Sequence, residues 1–186
     1  MSVTYGRPVA LLAFLGATVG PALDGLHTYS GATWYPDAQF LKSVWWCPPL
    51  FCAAGVAIGL GRLLTERVMK VETHAPGGRA VAVTMGAFVV AYAASGFLPV
   101  SEVARAVLLL MGAVALWAAF DRTLAAVLCM ASAGAGGWLV EHTLVGRGLF
   151  FHREVFLDGV ALWIPPLYFT AALAIGAVAR QVAVRE

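Results

Sequence analysis

The ionisable side chains that could carry proton or metal chemistry in this sequence are few, and their positions limit what they could do. Asp24, Glu102, Asp121, Glu141 and His142 each stand at the edge of an apolar run, and none stands at the middle of one. An ionisable residue in mid-membrane is the usual mark of ion coupling or catalysis. Its absence reads against a proton pump or an ion-coupled transporter. Glu141, His142, His152 and Glu154 could be drawn together as metal donors. No ligand-spacing motif joins them, so solvated loop residues are the better reading and no metal is assigned. No serine sits in a glycine elbow and no glycine-rich loop precedes a lysine, so no catalytic residue is assigned and no enzyme is expected. Cys47, Cys52 and Cys129 lie in or near apolar runs. Their odd count and their positions suit packing better than a disulfide or zinc framework.

These residues are held by a strongly apolar chain. Of its 186 residues, 61% are hydrophobic and 12% charged, against ~45–50% and ~25% in a soluble domain. A membrane span takes ~20 apolar residues. The reading is an all-α membrane protein, a six-transmembrane-helix bundle with no soluble domain. A single domain covers residues 1–186, with spans at about 9–26, 43–64, 80–98, 103–120, 124–145 and 160–184. The net charge of +2 is small and the basic residues are scattered through loops, so no nucleic-acid partner is expected. Arg7 and the slowing at Gly20-Pro21-Ala22 give the first run some likeness to a signal peptide. The small-residue site is a poor one, and a retained first span is the expectation.

A repeated motif fixes the direction of two spans. Trp45-Trp46-Cys47-Pro48-Pro49 opens an apolar run that ends at Arg62, and Trp163-Ile164-Pro165-Pro166-Leu167 opens another that ends at Arg180. The copies align without a gap at an offset of 117 residues, with Ala57-Ile58-Gly59 on Ala174-Ile175-Gly176. Tryptophan favours the headgroup level, proline suits a first helical turn, and arginine suits a cytoplasmic helix end. Both spans should therefore run from outside to inside. With six spans, eight basic residues (Arg7, Arg62, Arg67, Lys70, Arg79, Arg122, Arg180, Arg185) fall inside and four outside, which places both termini in the cytoplasm. Arg62, Arg122 and Arg180 close the inward spans at intervals of 60 and 58 residues, a rhythm of three helical hairpins.

Small residues mark where helices approach or where space is left. Gly55-Val56-Ala57-Ile58-Gly59 has small-xxx-small spacing. The fifth span carries Ser132-Ala133-Gly134-Ala135-Gly136-Gly137-Trp138. Glycines in mid-helix cost stability, so this stretch either packs closely or lines a cavity. With Trp117 and Trp138 beside the small surfaces, and Thr84 and Ser95 on the third span, the cavity expected is apolar with sparse hydroxyls. Thr84, Ser95, Trp117, Ser132, Gly136 and Trp138 are its candidate lining, and a neutral amphiphilic lipid is its candidate occupant. The same small-residue faces are compatible with a homo-oligomer.

The motifs, taken in order, resemble the Insig family. Trp45-Trp46-Cys47-Pro48-Pro49 resembles the family's Trp-Trp-x-Pro-Pro, and Leu116-Trp117-Ala118-Ala119-Phe120-Asp121-Arg122 its Leu-Trp-Trp-x-Phe-Asp-Arg. Trp163-Ile164-Pro165 and Gly176-Ala177-Val178-Ala179-Arg180-Gln181 are similar to its sixth-span motifs. The resemblance implies six spans, cytosolic termini and a lipid pocket among the central spans. It implies a partner-binding role for Asp121 toward sterol-sensing-domain proteins, and an endoplasmic-reticulum location in a eukaryote. The Ala/Val/Gly-rich composition and compact loops point to a bacterial homologue in the cytoplasmic membrane. Ala104 replaces the amide that the family places early in its fourth span, which favours a diacylglycerol-like lipid over an oxysterol.

The expectation is therefore a lipid-binding membrane sensor with no cofactor beyond a bound lipid. Two alternatives remain open. Pro48-Pro49 and Pro165-Pro166 could break helices in mid-membrane, as in small transporters. The tryptophan-rich sensory proteins share the tryptophan and proline content but have five spans.

Overall fold

A computed structural model describes residues 2–185. Six helices fill it: α1 (Gly6–Ser30), α2 (Cys47–Val68), α3 (Gly78–Phe97), α4 (Glu102–Phe120), α5 (Leu124–Gly146) and α6 (Ile164–Ala183). All six are long and apolar enough to cross a membrane. The chain is an integral membrane protein with an all-α, six-helix bundle.

Local chemistry explains most boundaries. Pro48-Pro49 and Pro165-Pro166 occupy the first turns of α2 and α6, where a missing N–H costs nothing. Both helices continue unbroken from there, so the broken-helix transporter geometry is absent. Ser101 and Thr123 cap α4 and α5, accepting from the N–H groups of Ala104 and Ala126 at 3.3 and 3.1 Å. Gly77, at φ +75°, starts α3, and Pro99 follows its end. The slowing at Gly20-Pro21 is no interruption, because α1 runs through Pro21 to a Gly31 cap at φ +73°. Neighbouring helices in a membrane tolerate such a proline.

The helices are arranged as five around one. Within α6 the most apolar window is 72% buried, against 17–33% in the other five. Alanine and glycine make α6 thin enough for this: Ala174, Ala179 and Ala183 have no exposed surface. The outward faces of α3 and α4 instead present Val90, Val103, Leu108 and Met111, as lipid-facing helices do.

Two short strand pairs close the ends. β1 (Ser2–Val3) pairs antiparallel with β4 (Val184–Arg185), so both termini lie at one end of the bundle, called here the termini end. β2 (Thr33–Trp34) pairs antiparallel with β3 (Phe151–His152) at the other, the hairpin end.

The motif repeat extends into the loops. Phe40 and Ser43 form a bridge, as do Leu157 and Val160 at the same 117-residue offset. The turn residues between them have positive φ in both copies: Leu41 +48° and Lys42 +58°, Asp158 +50° and Gly159 +85°. Each tight hairpin leads into one tryptophan-proline helix start. The tryptophans differ in fate, however. Trp163 is fully buried in the core between His27 and His152, whereas its counterpart Trp46 is half-buried, and the exposed Trp45 has Leu162 as its counterpart, so only the first copy presents an interfacial ring.

Candidate functional site

One cavity dominates the structure, with a volume of about 430 Å³. Its walls are two helix faces read at three- and four-residue steps. From α2 come Leu50, Ala53, Ala54, Ala57, Gly61 and Thr65; from α5 come Cys129, Ser132, Ala133, Gly136, Val140 and Leu144. Each set lies on one side of its helix. Tyr168 of α6 forms the back, and Phe51 and Ile58 separate this space from a smaller apolar one beside α1. Ala53, Ala57, Ser132, Gly136 and Val140 stay exposed, so the cavity opens sideways between α2 and α5, toward the bilayer.

The glycine stretch of α5 divides between packing and space. A Cβ on Gly134 or Gly137 would strike the rings of Phe169 or Tyr168 at 2.4 or 2.5 Å. A Cβ on Gly136 would meet nothing within 4 Å. Gly16 and Gly55 let α1 and α2 close on each other: a Cβ on Gly16 would lie 2.3 Å from the Phe51 carbonyl oxygen.

The cavity's polar atoms gather at the hairpin end. Asp24 is buried in the last turns of α1 and lines the cavity with Tyr35 and Glu141. The Tyr35 hydroxyl donates to Asp24 Oδ2 at 2.9 Å, and the Cys47 thiol approaches the same oxygen at 3.7 Å. Burial, and then the charge of Asp24, hold the Tyr35 phenol far above its usual range, so it remains a donor. His152, swung in by β3, is fully buried with Nε2 2.9 Å from Glu141 Oε2. That contact is not aligned as a hydrogen bond, and Glu141 Oε2 has no donor among the described residues. Next to this group, His27 Nε2 lies 2.8 Å from Ser95 Oγ. Ser95 already donates to the Tyr92 carbonyl at 2.9 Å, so His27 is the donor between them.

A second polar group, at the termini end, is of another kind. Asp121, at the end of α4, receives Arg62 Nη2 from α2 at 3.1 Å on Oδ1 and Arg180 Nη2 from α6 at 2.8 Å on Oδ2. Arg62 also bonds Glu66 Oε1 at 2.8 Å and the Thr123 hydroxyl at 3.2 Å. All four charged residues are buried.

Several sequence expectations are corrected by this placement. Ser132 and Gly136 line the cavity, but Thr84, Ser95, Trp117 and Trp138 do not. Thr84 turns its hydroxyl onto the Ala80 carbonyl at 2.9 Å, and Ser95 is taken by His27. Trp117 donates its ring N–H to the Thr123 carbonyl, and Trp138 stacks on His142 at 5.1 Å between centroids. The helix facing α5 across the cavity is α2, not α3. Asp121, for which the resemblance implies partner binding, is buried and ties three helices together. Arg62 and Arg180 are not free cytoplasmic loop charges, for the same reason. The four residues considered as metal donors scatter: Glu141 meets His152, His142 meets Trp138, and Glu154 pairs with buried Arg105. Finally, ionisable side chains do reach the cavity wall: Asp24, Glu141 and Tyr35 line it, Tyr35 folding in from a loop.

The fold and site define a class: a six-helix integral membrane protein with an apolar chamber, polar at one end. Within that class the comparisons point one way. No family model matches the chain. The insulin-induced gene 2 protein of Gallus gallus is 24% identical over 184 residues, covering 95% of this chain and 80% of the relative. A mycobacterial Insig homologue, MvINS from Mycobacterium vanbaalenii, superposes with a TM-score of 0.84 at 24% identity, covering 98% of this chain and 96% of that one. The cross-linked MvINS trimer superposes with a TM-score of 0.86 at 23% identity, over 100% and 99% of the two chains. Fold and full-length sequence likeness together support an Insig-family homologue of the bacterial kind.

Proposed function

We propose that this protein is an Insig-like membrane lipid-binding sensor that holds a neutral lipid, diacylglycerol-like or sterol, in the chamber between α2 and α5. The observation that carries this reading is the chamber itself. Its volume of about 430 Å³ falls within the ~300–1,000 Å³ of small-molecule sites. Its walls are mostly aliphatic and aromatic, and its open side faces the bilayer, so a ligand reaches it without crossing water. The smaller compartment of about 70 Å³ shares Phe51, Ala54, Ile58 and Tyr168 with it. Rotation of the Phe51 and Tyr168 rings would join the two, which suits a lipid with two chains.

The reading includes a bacterial cytoplasmic membrane, with the termini end in the cytoplasm as the loop charges favour. It is a binding role, not a catalytic one. Self-association is also part of it, since the MvINS comparison is with a trimer. A sterol-sensing-domain partner would act through Asp121 as a positioning residue, because the carboxylate is buried among Arg62 and Arg180.

Lipid extraction of the protein purified in mild detergent, followed by mass spectrometry, tests the reading. One neutral lipid enriched over its share of the membrane is expected. Lipids present only in bulk proportions would overturn it.

A further inference from the structure

We propose that the turn from Phe40 to Ser43 is a membrane-surface anchor. Phe40 and Leu41 enter the phospholipid leaflet at the hairpin end, and the Lys42 ammonium meets its headgroup phosphates. The anchor lies on the rim of the bundle and stands whether or not the chamber holds a lipid.

The first observation is the turn's own chemistry. The Ser43 N–H donates to the Phe40 carbonyl at 2.9 Å, and the Phe40 N–H donates to the Ser43 carbonyl at 3.3 Å. The two residues between them, Leu41 and Lys42, have φ of +48° and +58°. A two-residue hairpin with positive φ at both positions prefers Asn-Gly or Asp-Gly. The copy 117 residues further on has that chemistry, as Asp158-Gly159. The first copy keeps two long side chains where they strain the backbone. The bundle gives the apolar ones no cover, since Phe40 is 75% and Leu41 77% exposed. A strained turn that holds out bulky apolar groups points to a contact outside the chain.

The second observation is the level at which the turn sits. α1 has 25 residues. At 1.5 Å per residue it is ~37 Å long, more than the ~30 Å of a hydrocarbon core. Its last turn therefore reaches the headgroups. Tyr29 stands exposed in that last turn, and Lys42 Nζ lies 5.1 Å over its ring. The Phe40–Ser43 turn thus folds back beside the end of α1 instead of rising into water. Exposed Trp45 follows at the start of α2. Tyrosine, tryptophan and a cation on an apolar stem make up the interfacial layer of membrane proteins. Lipid is the neighbour already present at that level, so the leaflet is the occupant. The second copy exposes Phe156 and Leu157 as well, but Asp158 at its tip would be repelled by phosphate. The anchor is therefore assigned to the first copy alone. It sets the depth at which α2, one wall of the chamber, begins.

The test uses the full chain in nanodiscs of phosphatidylcholine and phosphatidylglycerol. A nitroxide is attached to Leu41→Cys, and the unaltered chain, treated alike, gives the background from Cys47, Cys52 and Cys129. Collisions with oxygen, which favours lipid, are compared with collisions with a water-soluble nickel chelate. Val90→Cys, on the outward face of α3, and His74→Cys, in the exposed loop after α2, mark the two limits. The label at 41 should favour oxygen over the chelate several-fold more than the label at 74 does. A ratio equal to that at 74 would put the turn in water and overturn the anchor. Shielding from both reagents would mean that a second copy of the chain covers the turn, and would overturn it too. Adding Lys42→Glu sets a carboxylate against the phosphates and should move the label at 41 toward the value at 74. No movement would overturn the ammonium–phosphate contact. Phe40→Cys repeats the measurement if Leu41→Cys fails to fold.

Discussion

The two buried polar groups of this protein invite comparison, because they use similar residues for opposite ends. At the termini end, Asp121 and Glu66 meet Arg62 and Arg180 in a closed set of two acids and two bases. At the hairpin end, Asp24 and Glu141 meet a phenol, a thiol and a histidine, and they face a chamber. The first set balances in charge and joins α2, α4 and α6, with Arg62 Nε and Nη1 and Arg180 Nε left without a hydrogen bond among the described residues. The second pairs its two acids with no arginine, and it borders empty volume. A buried charge network that balances reads as structural, whereas one that stops short beside a cavity reads as recognition.

That contrast breaks most sharply at Asp121. Asp121→Ala leaves two guanidinium groups buried against α4, which should cost about 3–5 kcal/mol. Thermal unfolding in detergent should show it, and Asp121→Ala combined with Arg180→Leu should recover part of the loss. A fully stable Asp121→Ala variant would mean that the termini-end group is not a staple.

The next effects concern helix contact and chamber volume. Gly16→Val drives a side chain into the backbone of Phe51. It should cost about 1–3 kcal/mol of stability, read as a lowered unfolding midpoint. Gly136→Leu, by contrast, fills the chamber without a clash. It should leave the midpoint within about 0.5 kcal/mol and reduce co-purified neutral lipid several-fold. Gly112→Leu, also in open space but on the lipid-facing α4, is the control that should alter neither. The smallest effects belong to residues outside the chamber: Thr84→Val and Trp138→Phe should change lipid occupancy little, and stability by about 0.5 kcal/mol or less for Trp138→Phe.

The fold was legible in the sequence to a large degree. Apolar runs of span length gave six helices, and Pro48-Pro49 and Pro165-Pro166 marked starts that depend only on local backbone chemistry. The chamber was half legible. Ser132 and Gly136 stand on the α5 face that lines it, because small residues in a membrane helix must either pack or leave room. The α2 face was equally readable as Ala53, Ala57 and Gly61 at four-residue steps, but the spacing singled out on α2 was that of Gly55 and Gly59, which meets Leu12 of α1 instead. Tyr35 and His152 could not be placed at all, since loops of ten or more residues carry no periodicity and their return depends on the β2–β3 pairing. The same holds for Asp121, whose partners lie 59 residues away on either side.

The position of α6 at the centre has a consequence for biosynthesis. It is the last of the six helices to leave the ribosome, yet the other five are built to surround it. Until it inserts, those five wait in the membrane with an unfilled axial groove and with Asp121 lacking the guanidinium of Arg180. The nascent protein should therefore stay open to quality-control recognition until α6 arrives, and then mature in a single late step.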